Sequence, residues 1–65
     1  MATEADIYRT ANLVLQQHGD DAVAHAEQMI ETMNVAGAED GAATWRRILT
    51  AIEELTMERG DEPLN

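Results

Sequence analysis

The residues best suited to chemistry in this sequence are two histidines and an aspartate that lie close together along the chain. His18, Asp21 and His25 are separated by three and four positions, so one helix through them would place all three on a single face. Imidazole nitrogen and carboxylate oxygen are ligands that zinc and iron accept. Gly19 favours a helix end directly after His18, which would separate the three. We keep them as candidate metal ligands but expect no metal site, with His18 at a helix C-terminus and His25 at the edge of a buried stripe.

Other groupings that enzymes use are missing from the sequence. It contains no cysteine and no serine, which excludes thiol and serine nucleophiles, disulfides and thiolate metal sites. Glu53 and Glu54 are neighbours, so on a helix their side chains diverge and do not form an acid–base pair. Gly37 and Gly41 lack the lysine of a phosphate-binding loop. We therefore predict that the protein is not an enzyme and needs no cofactor.

The charge balance is strongly acidic and limits the classes of partner. Thirteen Asp and Glu residues face four arginines and no lysine, for a formal net charge of −9. Such a field repels phosphate backbones and anionic lipid surfaces, so we expect neither nucleic acid nor a membrane as a partner. Arg46 and Arg47 beside Trp45 could contact a nucleic acid, but we expect both to pair with carboxylates on neighbouring turns, such as Glu53, or on another helix.

The start of the chain and its apolar runs bear on localisation. No apolar run approaches the ~18–20 residues of a membrane span. The first residues, MATEAD, are acidic where a secretory signal would be basic. We expect a cytoplasmic protein.

Three segments carry apolar residues at steps of three and four positions, which is the period of an amphipathic helix. The segment at about 4–18 has a stripe of Ile7, Tyr8, Ala11, Val14, Leu15 and His18. The segment at about 20–34 has an inward face of Ala22, Val23, Ala26, Met29, Ile30 and Met33. The segment at about 39–59 has a stripe of Trp45, Ile48, Leu49, Ile52, Leu55 and Thr56. The sequence therefore predicts three helices.

Turn residues separate the three helices and suggest how they connect. Gly19 suits the C-terminal cap of the first helix, and Asp20 and Asp21 supply N-cap or first-turn carboxylates for the second. The stretch 60–65 is predicted to be a short, frayed acidic tail. Short connections favour antiparallel neighbours, so we predict one all-α domain over residues 1–65, a compact three-helix bundle. An alternative is that two helices exchange with a second chain in a larger bundle.

The predicted core is thin, and some apolar residues lie outside it. Of 29 apolar residues, 11 are alanine, and domains below roughly 70–80 residues often depend on oligomerisation. We therefore expect self-association, with a dimer as the simplest form. Leu13, Val35 and Met57 lie off the stripes and are candidate interaction residues. Trp45 is predicted to belong to the core or, failing that, to anchor an interface.

Two motifs carry a resemblance to a known family. HGDDA at 18–22, and WRRI at 45–48 followed by AIEEL at 51–55, resemble those of a family of short proteobacterial helical proteins. The resemblance covers most of residues 7–55 and implies a bacterial, all-α protein. The family has no assigned activity, so no functional residue is carried over from it.

The leading hypothesis is therefore a small, non-catalytic protein–protein interaction module that associates with itself. A second hypothesis is an acidic decoy that imitates the charge of nucleic acid in the groove of a basic protein. A decoy needs a continuous stripe of carboxylates, whereas the first predicted helix is nearly neutral and the acids divide between the other two. A metal-binding bundle built on His18, Asp21 and His25 is the third.

Overall fold

A computed structural model describes the backbone of residues 3–60 and the side chains of residues 3–57. It contains three α-helices and one short 3₁₀ turn, in the order α1 (Glu4–His18), the turn (Gly19–Asp21), α2 (Ala22–Ala36) and α3 (Glu39–Gly60). The all-α, three-helix prediction is confirmed. None of these helices is long and apolar enough to cross a bilayer. Apart from Gly60, the tail predicted for 60–65 lies outside the described residues.

The first helix begins at a capping box. The Thr3 hydroxyl accepts a hydrogen bond from the Asp6 backbone N–H at 3.2 Å, and the Asp6 carboxylate accepts one from the Thr3 N–H at 3.4 Å. Two backbone donors at the helix start are thereby satisfied. The helix runs to His18, and both of its predicted bounds are confirmed.

The corner between α1 and α2 differs from its prediction at the aspartates. Gly19 caps α1 with a positive φ of 56°, and its N–H bonds to the Leu15 carbonyl, as predicted. Asp20 and Asp21, however, form part of the 3₁₀ turn, and α2 begins at Ala22, two residues later than predicted. Asp21 makes no side-chain capping bond because its backbone (φ −91°, ψ 5°) lacks the extended conformation typical of an N-cap residue. Asp21 therefore stands at the N-cap position of α2, as predicted, but its carboxylate makes no capping hydrogen bond.

The link between α2 and α3 is a glycine-closed turn. Gly37 adopts the left-handed conformation (φ 78°, ψ 14°). Its N–H bonds to the Asn34 carbonyl at 3.1 Å, and the Ala38 N–H bonds to the Met33 carbonyl at 2.8 Å. This pair of bonds is the Schellman motif. It carries α2 to Ala36, two residues beyond the predicted end.

The helix α3 is the one on which both others pack, and α1 and α2 pack less extensively on each other. Glu4 lines a groove with Arg47, and further along α1 Leu15 lines a groove with Thr56, so α1 runs in the same general direction as α3. The helix α2 has the opposite direction. Met33, near its end, contacts Gly41 at the start of α3, and Val23, near its start, borders Thr56 further along α3, so α2 runs antiparallel to α3. The bundle is therefore up-down-up.

The core is small and rich in alanine. Its buried side chains are Ile7, Ala11, Val14, Ala22, Ala26, Ala42, Ile48, Ala51 and Ile52. Five of these nine are alanines, and Ile52 is the largest side chain that is fully buried. Larger residues of the predicted stripes pack at its edge and stay half-buried, namely Tyr8, Leu15, Val23, Trp45, Leu49 and Leu55.

Two details of the predicted core differ in the structure. Thr56 was predicted to face inward but is exposed, because it borders an open groove at the corner end of the bundle beside Leu15 and Val23. Ala42 and Ala51 are buried although neither belongs to the predicted stripe. Small side chains at these positions let the helices approach closely.

Candidate functional sites

The corner between α1 and α2 brings the two histidines together. The His18 and His25 rings stack with their centroids 4.1 Å apart and their planes 14° from parallel. The His25 ring also meets the indole of Trp45 in a T-shaped arrangement, with centroids 5.7 Å apart and planes at 80°. The three helices thus each contribute one ring to a cluster, which we call the ring cluster: His18, His25 and Trp45.

The ring cluster does not have the geometry of a metal centre. A histidine coordinates a metal through a lone pair in its ring plane, and nearly parallel stacked rings hold these lone pairs in two separate planes, so one ion cannot lie in both. Asp21 does not join the two histidines, since residues 3–57 contain no group of three or more His, Cys, Asp or Glu side chains placed to hold a metal ion. The candidate metal ligands are therefore brought together only as a stacked pair of histidines.

Trp45 was predicted to belong to the core or to anchor an interface, and its burial is intermediate between the two. Its side chain packs against the core cluster but is only half-buried. The indole contacts the His25 ring, and part of it remains accessible to solvent. An accessible aromatic side chain that is already held in place is suited to anchoring a partner.

The other three candidate interaction residues are exposed. Leu13 is 51% exposed, Val35 82% and Met57 66%. They lie on three different helices, and the groove beside Leu13 shares no residue with the groove beside Val35. They therefore define separate apolar positions, and their role in binding stays a prediction.

The two neighbouring arginines of α3 are exposed. Neither forms an ion pair with a carboxylate among the side chains of residues 3–57, where the ion pair found joins Arg9 to Asp6 at 3.6 Å. The pairing predicted for Arg46 and Arg47 is therefore wrong within this part of the chain. The physical reason is spacing: the positions three and four away from either arginine hold no acidic residue, and these are the positions a helix places within reach.

A polar contact between α1 and α3 could not be inferred from sequence patterns. The Tyr8 hydroxyl donates a hydrogen bond to the Glu54 carboxylate. The two residues line a groove that also includes Glu4, Ile7, Arg47, Thr50 and Ala51. The partners are 46 residues apart, so no local spacing relates them. The sequence shows only that Tyr8 lies on the first apolar stripe.

A long stretch of the sequence, between its first and second arginines, carries carboxylates and no basic residue. No Arg or Lys lies between Arg9 and Arg46, and this interval contains six carboxylates, at positions 20, 21, 27, 31, 39 and 40. All six residues are exposed. Within residues 3–57 no polar or charged side chain is buried.

No protein-family model matches the chain, and no curated protein or solved structure is significantly similar to it. The family resemblance carried by residues 18–22 and 45–55 therefore stays a prediction.

Proposed function

We propose that the protein is a non-catalytic helical interaction module of the cytoplasm, which acts by covering a partner surface and also associates with itself. The observation that carries the proposal is the distribution of apolar side chains. Alanines fill most of the buried core, while Trp45 is half-buried and three large aliphatic residues are exposed. Covering these side chains would remove apolar area from water, which is the main driving force of association. We also propose that the chain belongs to the family that its HGDDA and WRRI motifs resemble.

Single substitutions test which apolar position binds the partner. Leu13→Gln, Val35→Gln and Met57→Gln each replace an exposed apolar side chain with a polar one, and exposure means that the fold should tolerate them. The tagged protein and each variant are used to capture partners from the cells that produce it. We expect at least one variant to lose a protein that the wild type retains. The matched control is Asn12→Gln, a polar-to-polar change beside Leu13. If all three variants retain the same proteins as the wild type, apolar contact at these positions is refuted.

A second function is favoured by the exposed carboxylates between Arg9 and Arg46. A decoy that imitates nucleic acid would bind a basic groove through these charges. Salt separates the two hypotheses, because the Debye length falls from about 10 Å at 0.1 M to about 3 Å at 1 M. Complexes that dissociate as salt is raised would favour the decoy, and complexes that persist would favour the interaction module.

A further inference from the structure

The outward side of α3 has a regular order of charge. Acidic Glu39 and Asp40 are followed by Ala43 and then by Arg46 and Arg47, at steps of three or four residues that keep them on one side of the helix. All five are exposed. We call this set the charged face of α3. It contains two acidic and two basic residues, whereas the other charged residues between Arg9 and Arg46 are all acidic.

The arginines of the charged face do not pair with the acidic residues of the same face. Glu39 lies eight residues from Arg47, and Asp40 six residues from Arg46. At a rise of about 1.5 Å per residue these separations are about 12 and 9 Å, too far for an ion pair. Neither arginine pairs with a carboxylate on α1, α2 or α3 within residues 3–57. Both positive and negative halves of the face are thus open to a partner with the opposite order of charge.

We propose that the charged face of α3 is the surface through which the protein pairs with a second copy of itself, with the two α3 helices antiparallel and Ala43 on the twofold axis. In that arrangement each residue meets the one equally far on the other side of Ala43. Glu39 therefore meets Arg47 of the partner, Asp40 meets Arg46, and the reverse pairs follow by symmetry. The small side chain of Ala43 lets the two helix axes come close. The inference rests on the self-association part of the proposed function.

Charge favours a second copy at this face over other approaches. A copy that approached through the acidic surface on either side would bring carboxylates against carboxylates, which a net charge of −9 makes unfavourable. A twofold axis centred on Thr50 would instead pair Arg46 with Glu54 and Arg47 with Glu53 of the partner copy. There α1 is in the way, because Glu4 and Tyr8 line one groove with both Thr50 and Glu54, and Tyr8 already bonds to Glu54. Of the charged face, Arg47 alone lines that groove.

Disulfide trapping tests both the pairing and its register. The chain contains no cysteine, so Ala43→Cys introduces one thiol per copy, and a disulfide requires the two Cα atoms to come within about 7 Å. We expect Ala43→Cys to form a covalent dimer faster on mild oxidation than either Thr50→Cys or Gln17→Cys, both at exposed positions. Equal rates for the three variants would indicate random collisions and overturn the proposal. A faster reaction of Thr50→Cys would overturn the register.

Charge reversal provides an independent test in the cysteine-free protein. One variant carries Arg46→Glu and Arg47→Glu, and the other carries Glu39→Arg and Asp40→Arg. Sedimentation should show that each variant alone is monomeric and that an equal mixture forms dimers, because the two reversed faces are complementary.

Salt provides a further test on the wild type. The wild-type dimer should dissociate between about 0.1 M and 1 M salt as screening increases. A mixture that stays monomeric, or a wild type that is monomeric at millimolar concentration, contradicts the proposal. Partner capture through Leu13, Val35 or Met57 is measured separately and would be unaffected by that outcome.

Discussion

Met33 packs so closely on Gly41 that a Cβ atom added to the glycine would lie 2.8 Å from the Met33 Sδ and 3.3 Å from its Cγ. Gly41 belongs to the first turn of α3, where a helix would otherwise favour alanine. The glycine is therefore explained by the approach of α2, not by a phosphate-binding loop. The contact ties the end of α2 to the start of α3.

This contact predicts coupling between the two positions. Gly41→Ala gains helix propensity, up to about 1 kcal/mol, but in the wild type it forces the Met33 side chain to move. In a Met33→Ala background the obstruction is gone, so the same substitution should raise the free energy of unfolding by more. Urea unfolding of the two single variants and the double variant measures the difference. Equal effects of Gly41→Ala in both backgrounds would show that the contact has no energetic consequence.

The two glycine caps should respond differently to asparagine. Gly37 has φ 78° and ψ 14°, and Gly19 has φ 56° and ψ −123°. Nothing lies within 4 Å of a Cβ at either position, so any cost comes from the backbone. Asparagine is among the residues that enter the left-handed helical region, which suits Gly37 but not Gly19. We expect Gly37→Ala to cost about 1 kcal/mol, with Gly37→Asn costing less, whereas Gly19→Asn should be as harmful as Gly19→Ala. Thermal melting of the four variants is the measurement. A Gly19→Asn variant that melts at a higher temperature than Gly19→Ala would contradict the backbone conformation assigned to Gly19.

Ile52 is expected to be the most sensitive aliphatic position. It is fully buried, whereas Val35 is 82% exposed. Ile52→Val removes one methylene group from the core and should lower the free energy of unfolding by about 0.5–1.5 kcal/mol. Val35→Ala serves as the matched control, with an expected change within about 0.5 kcal/mol. Similar losses at the two positions in urea would contradict the burial seen here.

The stacked histidines predict a weak response to zinc. Two nearly parallel rings cannot both place a nitrogen about 2.0–2.1 Å from one ion without breaking the stack. We expect the melting temperature to be unchanged by stoichiometric zinc, and the His18→Ala and His25→Ala variants to behave alike in this respect. A stabilisation by zinc that disappears in both variants would instead restore the metal-binding hypothesis.

Periodicity predicted the helices well because their inward positions carry bulky apolar residues. The stripe from Ile7 to Leu15 follows from that pattern, and the end of α1 at His18 follows from Gly19 directly after it. Ala42 and Ala51 were missed because alanine occurs on buried and exposed sides alike, so its position carries little signal. The capping box at Thr3 and Asp6 has its own sequence signal, a Thr-x-x-Asp spacing at the start of α1.

The candidate sites were harder to predict, because they depend on how the helices are arranged. The His18–His25 stack requires the 3₁₀ turn at the corner, and its near-parallel rings could not be inferred from spacing. The Tyr8–Glu54 hydrogen bond joins helices from opposite ends of the sequence. By contrast, the lack of a helical partner for Arg46 and Arg47 could have been recognised from the positions three and four residues away.

The up-down-up arrangement has a consequence for the order in which the chain folds. The helices α2 and α3 are joined by the Gly37 turn and can pair with little loss of chain entropy, whereas α1 reaches α3 through contacts such as Tyr8–Glu54, separated by 46 residues. Closing a longer loop costs more entropy before its contacts form. The α2–α3 hairpin is therefore expected to form first, and α1 to be the unit that undocks most readily from the native bundle. A partially opened protein would keep its hairpin while uncovering Ala51, which borders Ile7 and Tyr8 of α1 in the closed bundle.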